Sequence, residues 1–477
     1  MMATNFLKTY QHHLHHHHDN KPQFPLPKKK FVTYAVYALI AVVLLYLFVD
    51  PAAAPPAAAP SAATTKPSSL VEEERPAATP PSYYQGRQAT GGHRHAAADE
   101  TSSRIISTAT APPPPPCDYS DGEWVPDARP PLYNGTTCGA IKDDGRSCTL
   151  NGRADTGYVY WRWQPRGCHL PDFSAADFLR WLRNRHMAFV GDSLARNQAE
   201  SLVCLLSSAY EPDLVHRSAD GRFRRWVFRD HNATVSIFWS PFLVSGVEKS
   251  ERDGVRYNQV FLDAFDERWM SELAAIDAVV MSAGQWFRIP SVYHEGGRVV
   301  GCHGCDAAEF NGTGAVAEVS FFRAFRDAVR RTLAEAARRH HEQHSDGVKL
   351  VAMTTFSPSH FEGQWNEGAP CKKKADRELG YTETEMRKIV VEELEKASSS
   401  SSLSSSSSTS LRFAAVDVTA LANLRPDGHP GPYMRKNPFA AGNTTGGRPP
   451  VQHDCLHWCM PGPVDTFNQI LLQTILR

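Results

Sequence analysis

Short apolar runs alternate with amphipathic stretches through the second half of the chain. Four runs are continuous and apolar, as in strands buried on both faces: MAFVGDS (187–193), DAVVMSAG (277–284), VKLVAMTTF (348–356) and FAAVDVT (413–419). Three stretches carry apolar residues at helical spacing: 193–208, 321–341 and 382–397. The alternation predicts an α/β fold, a three-layer α/β/α sandwich with a mainly parallel sheet and helices on both faces.

One apolar run is long enough to cross a bilayer. Residues 31–49, FVTYAVYALIAVVLLYLFV, contain no charge and predict a single transmembrane helix. Three lysines, 28–30, precede it, so the positive-inside rule leaves 1–30 as a cytosolic tail and sends the remainder across the membrane. This is a type II signal anchor. A cleaved signal peptide is the alternative, because small residues follow at 52–54, but the apolar run exceeds the usual length of such a segment.

Composition separates biased segments from one large domain at 117–477. The 51 basic and 51 acidic residues balance, which gives no bulk charge for binding nucleic acid. Residues 50–116 are rich in Ala, Pro and Ser and predict a disordered stem. The His-rich stretch at 12–18 is interpreted as a solvated tract without function, and the nearly all-Ser tract at 398–410 as a mobile surface loop.

Cysteines and glycosylation motifs both indicate an exported domain. All ten cysteines follow the apolar run, and an even number in an oxidising compartment favours disulfides. Cys302, His303 and Cys305 have ligand-like spacing, but the disulfide interpretation is favoured over a metal site and no metal is predicted. The glycosylation candidates are Asn134, Asn232, Asn311 and Asn443. The disulfide candidates, whose pairing stays open, are Cys117, Cys138, Cys168, Cys204, Cys302, Cys305, Cys371, Cys455 and Cys459.

Ser193 stands where the first core strand meets a helix. Serine before a helix is usually a cap, yet the carboxyl end of such a strand is also where α/β sheets place their chemistry. A nucleophilic serine needs a base and a group that orients the base. Asp454 and His457, three residues apart near the end of the chain, can supply both, because the carboxylate can hold the imidazole Nδ1–H. The hydrolase elbow G-x-S-x-G is absent around Ser193.

A nucleophilic serine also needs donors for the oxyanion that forms on the acyl carbon. The N–H groups of Ser193 and Gly284 and the side chains of Gln285 and Arg196 are candidates. For Arg196 a salt bridge on its own helix is the equal alternative.

Long motifs in order along the chain make it resemble a known family. They include CDYSDGEWV, NGRADTGYVYWRWQPRGCHLPDF, FVGDSLARNQAESLVCLL and DCLHWCMPGP. Over 117–477 the chain resembles the plant trichome birefringence-like family of Golgi polysaccharide O-acetyltransferases, which have a PC-esterase domain. The resemblance implies an SGNH/GDSL-esterase-like fold, with Ser193 as nucleophile, His457 as base and Asp454 as its orienting acid. Gln285 stands where many relatives have His.

The resemblance also implies an activity and its substrates. VVGCHGC and FSPSHFEGQWNEGAPC look most like members that acetylate xyloglucan or mannan, with galactose of xyloglucan side chains the first choice and xylan the third option. No bound cofactor is expected; acetyl-CoA or another acetyl carrier is the co-substrate, and membrane proteins that supply acetyl donors are possible partners. A lumenal carbohydrate esterase and a non-catalytic wall-polysaccharide binder are the alternatives. Trp286, Trp365 and Trp458 are candidates for stacking on the acceptor sugar, with core packing as the equal alternative.

Overall fold

The computed structural model describes the large predicted domain with several internal gaps. The described residues are 117–141, 145–306, 309, 317–342, 349–363, 369–375, 378–404 and 411–439, then 451–477, without the side chains of 402–404. The predicted tail, transmembrane helix and stem lie outside them, as do Trp365, Asn311 and Asn443. Among the helices of the described ranges, none has the length and apolar character to cross a bilayer.

The elements of the described residues follow the chain in this order. The strands are β1 (Gly122–Pro126), β2 (Trp161–Pro165), β3 (His186–Gly191), β4 (Asp213–Arg217), β5 (Arg224–Phe228), β6 (Ala233–Trp239), β7 (Val244–Val247), β8 (Asn258–Phe265), β9 (Ala278–Ser282), β10 (Ser291–Glu295), β11 (Arg298–His303), β12 (Leu350–Thr354) and β13 (Arg412–Val416). The α-helices are α1 (Ala175–Leu182), α2 (Ser193–Ser207), α3 (Glu267–Met270), α4 (Phe321–Glu342), α5 (Tyr381–Ser404), α6 (Thr419–Asn423) and α7 (Pro463–Leu476).

A seven-stranded sheet forms the centre of the fold, in the order β13-β12-β9-β3-β6-β5-β4. The five strands from β13 to β6 are parallel, and β5 and β4 run antiparallel at one edge. Successive residues of β3 point to opposite faces: Met187 and Phe189 join the core that contains α2 and α7, whereas Ala188 and Val190 join the core under α4 and α5. The predicted three-layer sandwich with a mainly parallel sheet is therefore confirmed.

Two smaller sheets and three strands of the central sheet, β4, β5 and β6, were not predicted. The strand β6 pairs with β3 along its whole length, and β7, β8, β10 and β11 form a separate four-stranded sheet. β1 and β2 form a two-stranded antiparallel sheet near the start of the described residues. Their short, mixed sequences lack the continuous apolar character that marked the central strands.

Five disulfides connect the described residues, and they include Cys148, which the predicted set omitted. The pairs are Cys117–Cys168, Cys138–Cys204, Cys148–Cys459, Cys302–Cys305 and Cys371–Cys455. The preference for a disulfide over a metal at Cys302 and Cys305 is confirmed. Cys138–Cys204 and Cys148–Cys459 join the segment before α1 to the α2 helix and to the C-terminal segment.

The serine tract does not begin as a loop. Helix α5 continues through Ser404, so the prediction of a loop from Ser398 is wrong for the first part of the tract. The Ser399 and Ser400 hydroxyls donate to the carbonyls of Glu395 and Lys396 at 2.9 Å, four residues back. Serine is a neutral helix former. Because these hydroxyls bond to carbonyl groups of the same helix, they do not draw the backbone into a different local structure.

Candidate active site

Gly191 creates the turn that presents Ser193. Its φ of 149° lies in the region that favours glycine, and a Cβ there would lie 1.8 Å from the carbonyl oxygen of Ser282 on β9. The backbone N–H of Asp192 donates to that same oxygen at 3.1 Å, and the N–H of Ser240 donates to the Gly191 carbonyl at 2.8 Å. The loops after β3, β9 and β6 are therefore held together at the carboxyl edge of the sheet.

Ser193 is the first residue of α2 but does not cap it. Asp192 is the N-cap, and its carboxylate accepts from the Leu194 N–H at 2.9 Å. The Ser193 side chain is buried, and its hydroxyl makes no hydrogen bond to any of the residues that the structure describes, His457 included. The capping role therefore belongs to Asp192 and not to Ser193. The serine hydroxyl is available for chemistry at a helix N-terminus.

Burial raises the pKa of the Asp192 carboxyl. Its side chain is 2% exposed, and burial raises its pKa to about 6, although the Leu194 N–H and the nearby charge of His457 act against the rise.

Asp454 and His457 form the hydrogen-bonded pair that their spacing predicts. The Asp454 Oδ2 lies 2.7 Å from the His457 Nδ1, while its Oδ1 accepts from the backbone N–H groups of Leu456 and His457 at 3.0 and 2.9 Å. Burial would raise the pKa of Asp454, but the charge and hydrogen bonds of His457 outweigh it and hold that pKa well below its usual range. The ionised carboxylate thus fixes Nδ1–H on His457 and leaves Nε2 as the basic nitrogen.

Asn197 attaches this pair to α2. One turn after Ser193, its Oδ1 accepts from the Trp458 N–H at 2.7 Å and its Nδ2 donates to the Trp458 carbonyl at 3.3 Å. Asn197 is fully buried. Because Trp458 follows His457 directly, these two bonds hold the C-terminal imidazole against the first turn of the helix. Asn197 was not among the sequence candidates, although its position one turn beyond Ser193 places it on the same helix face.

Two further histidines lie behind His457. The His429 Nδ1 lies 2.6 Å from the His457 carbonyl oxygen, and its ring stacks on Trp458 with centroids 4.2 Å apart. The His360 Nδ1 lies 2.7 Å from the His429 Nε2. Both histidines are buried, and burial, followed by the nearby His360, lowers the pKa of His429 to about 3. Neither residue was among the sequence candidates, because isolated histidines in loops carry no pattern.

The oxyanion candidates differ in where the structure places them. Gly284 has a φ of 143° and packs against Met386 and Phe356 directly after β9. The Gln285 Nε2 donates to the Ser357 carbonyl at 2.9 Å, which uses one of its two N–H groups. The side chain of Arg196 turns along the helix toward the buried Glu200, with 3.8 Å between Nε and Oε1.

Arg196 therefore follows the alternative that the sequence left open. Its partner Glu200 also pairs with Arg146 and Arg224, at 2.6 and 2.5 Å. Glu200 lies two helical turns beyond Ser193, so a guanidinium drawn toward it points away from the position where the oxyanion would form. The oxyanion role predicted for Arg196 does not fit this geometry.

Trp286 and Trp458 do not line an acceptor groove. Trp286 and Trp458 are 1% and 0% exposed, and the Trp458 Nε1 donates to the Ser357 hydroxyl at 3.0 Å. A sugar cannot stack on a ring that has no exposed face, so the stacking role predicted for both is wrong and their alternative, core packing, is confirmed. In contrast, the side chains of Asn134 and Asn232 are exposed, as a glycan attached to either would require.

No group of ligand-type side chains within the described residues could hold a metal ion. The arrangement present is a serine at a strand-to-helix turn and a histidine–carboxylate pair held beside the same helix. A serine acyl-transfer site uses residues of these kinds, and together with the three-layer sheet they are typical of an acyl-esterase-like α/β protein.

Comparison with known proteins assigns the family. Residues 170–474 match the PC-Esterase model, described as a GDSL/SGNH-like acyl-esterase family found in Pmr5 and Cas1p, and residues 115–169 match the PMR5 N-terminal domain. The chain belongs to this PC-esterase family and is one of its acyltransferase enzymes.

Several plant proteins are similar to most of the chain. Xyloglucan O-acetyltransferase 2 of Populus trichocarpa is 50% identical over 367 residues, which cover 76% of this chain and 82% of that protein. Xyloglucan O-acetyltransferase 1 of Arabidopsis thaliana is 46% identical over 76% of this chain and 80% of its own length. Protein trichome birefringence-like 26 of Arabidopsis thaliana is 36% identical over 76% of this chain and 77% of its own length. The predicted family is therefore confirmed.

Proposed function

We propose that this enzyme transfers acetyl groups to a hydroxyl of xyloglucan, with the side-chain galactose as acceptor. The names of its 50% and 46% identical relatives support xyloglucan as the polysaccharide. The observation that supports chemistry at this site is the Asn197 contact with Trp458, which holds the Asp454–His457 pair beside the turn of Ser193.

The proposed mechanism is a double displacement. The Ser193 Oγ attacks the acetyl carbonyl carbon while its proton passes to the His457 Nε2, and Asp454 stabilises the resulting imidazolium. Collapse of the tetrahedral intermediate breaks the bond to the donor, whose leaving group takes the proton. The sugar hydroxyl then gives its proton to His457 and attacks the acetyl-serine, and the proton returns to Oγ as it leaves. The N–H groups of Ser193 and Gly284 and the second N–H of Gln285 are the proposed oxyanion donors.

The donor is acetyl-CoA or another acetyl carrier, and acetyl-donor-supplying membrane proteins are the proposed partners. The apolar residues 31–49 are proposed to anchor the chain in the Golgi membrane in type II orientation, with 1–30 in the cytosol, 50–116 as stem and 117–477 in the lumen. The five disulfides support an oxidising compartment. Glycosidase treatment should lower the mass of tryptic peptides that contain Asn134 or Asn232, and unmodified peptides from the native host would contradict lumenal residence.

The test uses purified chain with labelled acetyl donors and oligosaccharides of xyloglucan, mannan and xylan. We expect acetylated galactose in xyloglucan, identified by mass spectrometry and NMR, and no transfer by Ser193→Ala or His457→Ala at wild-type melting temperature. Acetyl transfer that survives either substitution would rule out the proposed triad of Ser193, His457 and Asp454. Acetylated mannan or xylan in place of xyloglucan would reassign the acceptor. Release of free acetate from acetylated oligosaccharides, without transfer, would indicate a carbohydrate esterase. Binding of the oligosaccharides without either reaction would indicate a non-catalytic protein.

A further inference from the structure

The two buried histidines behind His457 form a chain with few possible proton arrangements. It runs from the His457 carbonyl to the His429 Nδ1 (2.6 Å), from the His429 Nε2 to the His360 Nδ1 (2.7 Å), and from the His360 Nε2 to the Asn423 carbonyl (3.0 Å). Both ends are carbonyl oxygens, which only accept. Two neutral imidazoles carry two N–H protons between them, so they can satisfy two of these three contacts.

The distances decide which two contacts hold the protons. The shortest contact to a carbonyl is that of the His429 Nδ1, so the proton of His429 belongs there and its Nε2 is left as an acceptor. The His360 Nδ1 must then donate to that Nε2. The remaining contact, from the His360 Nε2 to the Asn423 carbonyl at 3.0 Å, is the longest of the three, so a missing proton costs least there, because the repulsion between the two lone pairs falls with distance.

The surroundings hold both rings in place. His429 stacks on Trp458, and its carbonyl accepts from the Arg153 Nη1 at 2.9 Å. The backbone N–H of His360 donates to the Cys455 carbonyl at 2.8 Å, and Cys455 lies between Asp454 and His457. The two histidines thus contact the backbone of the base-bearing segment at two points, the carbonyl groups of Cys455 and His457.

We propose that His429 and His360 are positioning residues for the base: His360 fixes the tautomer of His429, and His429 holds the backbone of His457 through its Nδ1–H. This inference rests on the proposed role of His457. Removal of the Nδ1–H donor takes away its hydrogen bond to the His457 carbonyl. The imidazole can then move away from Ser193. Because the two histidines do not touch substrate, their loss lowers kcat and leaves KM for the acetyl donor unchanged.

The variants form shape-matched pairs. An asparagine amide nitrogen takes the place of Nδ1 and can donate there, whereas leucine has the same outline and cannot. His429→Leu and His360→Leu should each lower kcat roughly ten- to hundredfold, as expected for the loss of a hydrogen bond that positions the base. His429→Asn and His360→Asn should retain kcat within roughly threefold of the wild type. The readout is initial-rate kinetics of full chain with a chromogenic acetyl ester, beside melting curves that identify any variant that fails to fold.

Nitrogen-15 NMR of labelled histidine supplies a readout that does not depend on activity. We expect His429 in the wild type to carry its proton on Nδ1 alone, and His429 in His360→Leu to show a mixture of both tautomers. A wild-type His429 protonated on Nε2, or leucine variants with the kcat of their asparagine partners, would overturn the inference. If Ser193→Ala abolishes acetyl transfer while the leucine variants keep it, the proposed function stands and this inference fails; if the wild type is inactive, the tautomer measurement still decides it.

Discussion

Replacement of Asn197 by alanine tests whether the contact between α2 and the C-terminal segment sets the geometry of catalysis. Asn197 is fully buried and bonds both backbone groups of Trp458, at 2.7 and 3.3 Å. Asn197→Ala leaves a buried N–H and a buried carbonyl without these partners, each at a cost of about 1–3 kcal/mol. We expect the free energy of unfolding to fall by about 2–6 kcal/mol, the sum of the two.

The effect on rate should exceed what lost stability explains. A displacement of His457 by about 1 Å from Ser193 lowers a rate on the order of 10²-fold, so kcat for acetyl transfer should fall by about that factor while the protein remains folded. The assay combines initial rates on a chromogenic acetyl ester with urea denaturation followed by tryptophan fluorescence.

Asn468 offers a matched control on the same helix pair. It too is fully buried, and its Nδ2 donates to the Gln198 carbonyl and the Ser201 hydroxyl, both at 3.0 Å, between α2 and α7. Asn468→Ala should therefore lower stability by a similar amount and leave kcat near that of the wild type. If Asn197→Ala keeps a wild-type kcat, or if both variants lose kcat equally, the contact with Trp458 does not position the base.

Three further predictions concern the same edge of the sheet. Asp454→Asn should lower kcat on the order of 10⁴-fold with the protein still folded, because the amide no longer fixes the Nδ1–H tautomer of His457; steady-state kinetics measure this, and a loss below tenfold would contradict the orienting role. Burial raises the pKa of Asp192 from 3.8 to about 6, so the folded wild type holds a proton that the unfolded chain releases, and its stability falls as the pH rises from about 4 to 6. Asp192→Asn does not titrate, and its stability relative to the wild type should therefore increase by up to about 3 kcal/mol between pH 4 and pH 7 in urea denaturation; a constant difference would refute the raised pKa. Gly191→Ala should yield no soluble folded protein, since its Cβ would lie 1.8 Å from a backbone oxygen, whereas Gly139→Ala, with no atom within 4 Å of the added Cβ, should express and melt like the wild type.

The central sheet could be predicted because its strands are continuous apolar runs. The structure places β9 and β12 within their runs, and β3 and β13 begin one residue before theirs. The helices α2, α4 and α5 lie within or around the amphipathic stretches. The strand β6 was not predicted because polar Thr234 and Ser236 interrupt its apolar residues. Serine extends α5 where composition suggested a loop, since a helix already formed by its first turns tolerates serines that bond back to it.

At the site, what is local in sequence was predictable and what is distant was not. Asp454 and His457 are three residues apart, and a short spacing implies a contact. Asn197 meets Trp458 across 261 residues, and His360 meets His429 across 69. Such contacts are set by how the loops of parallel strands converge at one edge of the sheet, which no spacing along the chain reveals.

The bridge between Cys148 and Cys459 encloses 311 residues of sequence, and this affects how the enzyme can be made. A chain synthesised from its N-terminus exposes Cys148 long before Cys459 exists. The neighbouring cysteines, such as Cys138 and Cys204, must therefore pair without capturing it. This ring can close only after Cys459 has been synthesised, so a product that ends before Cys459 leaves Cys148 without its native partner.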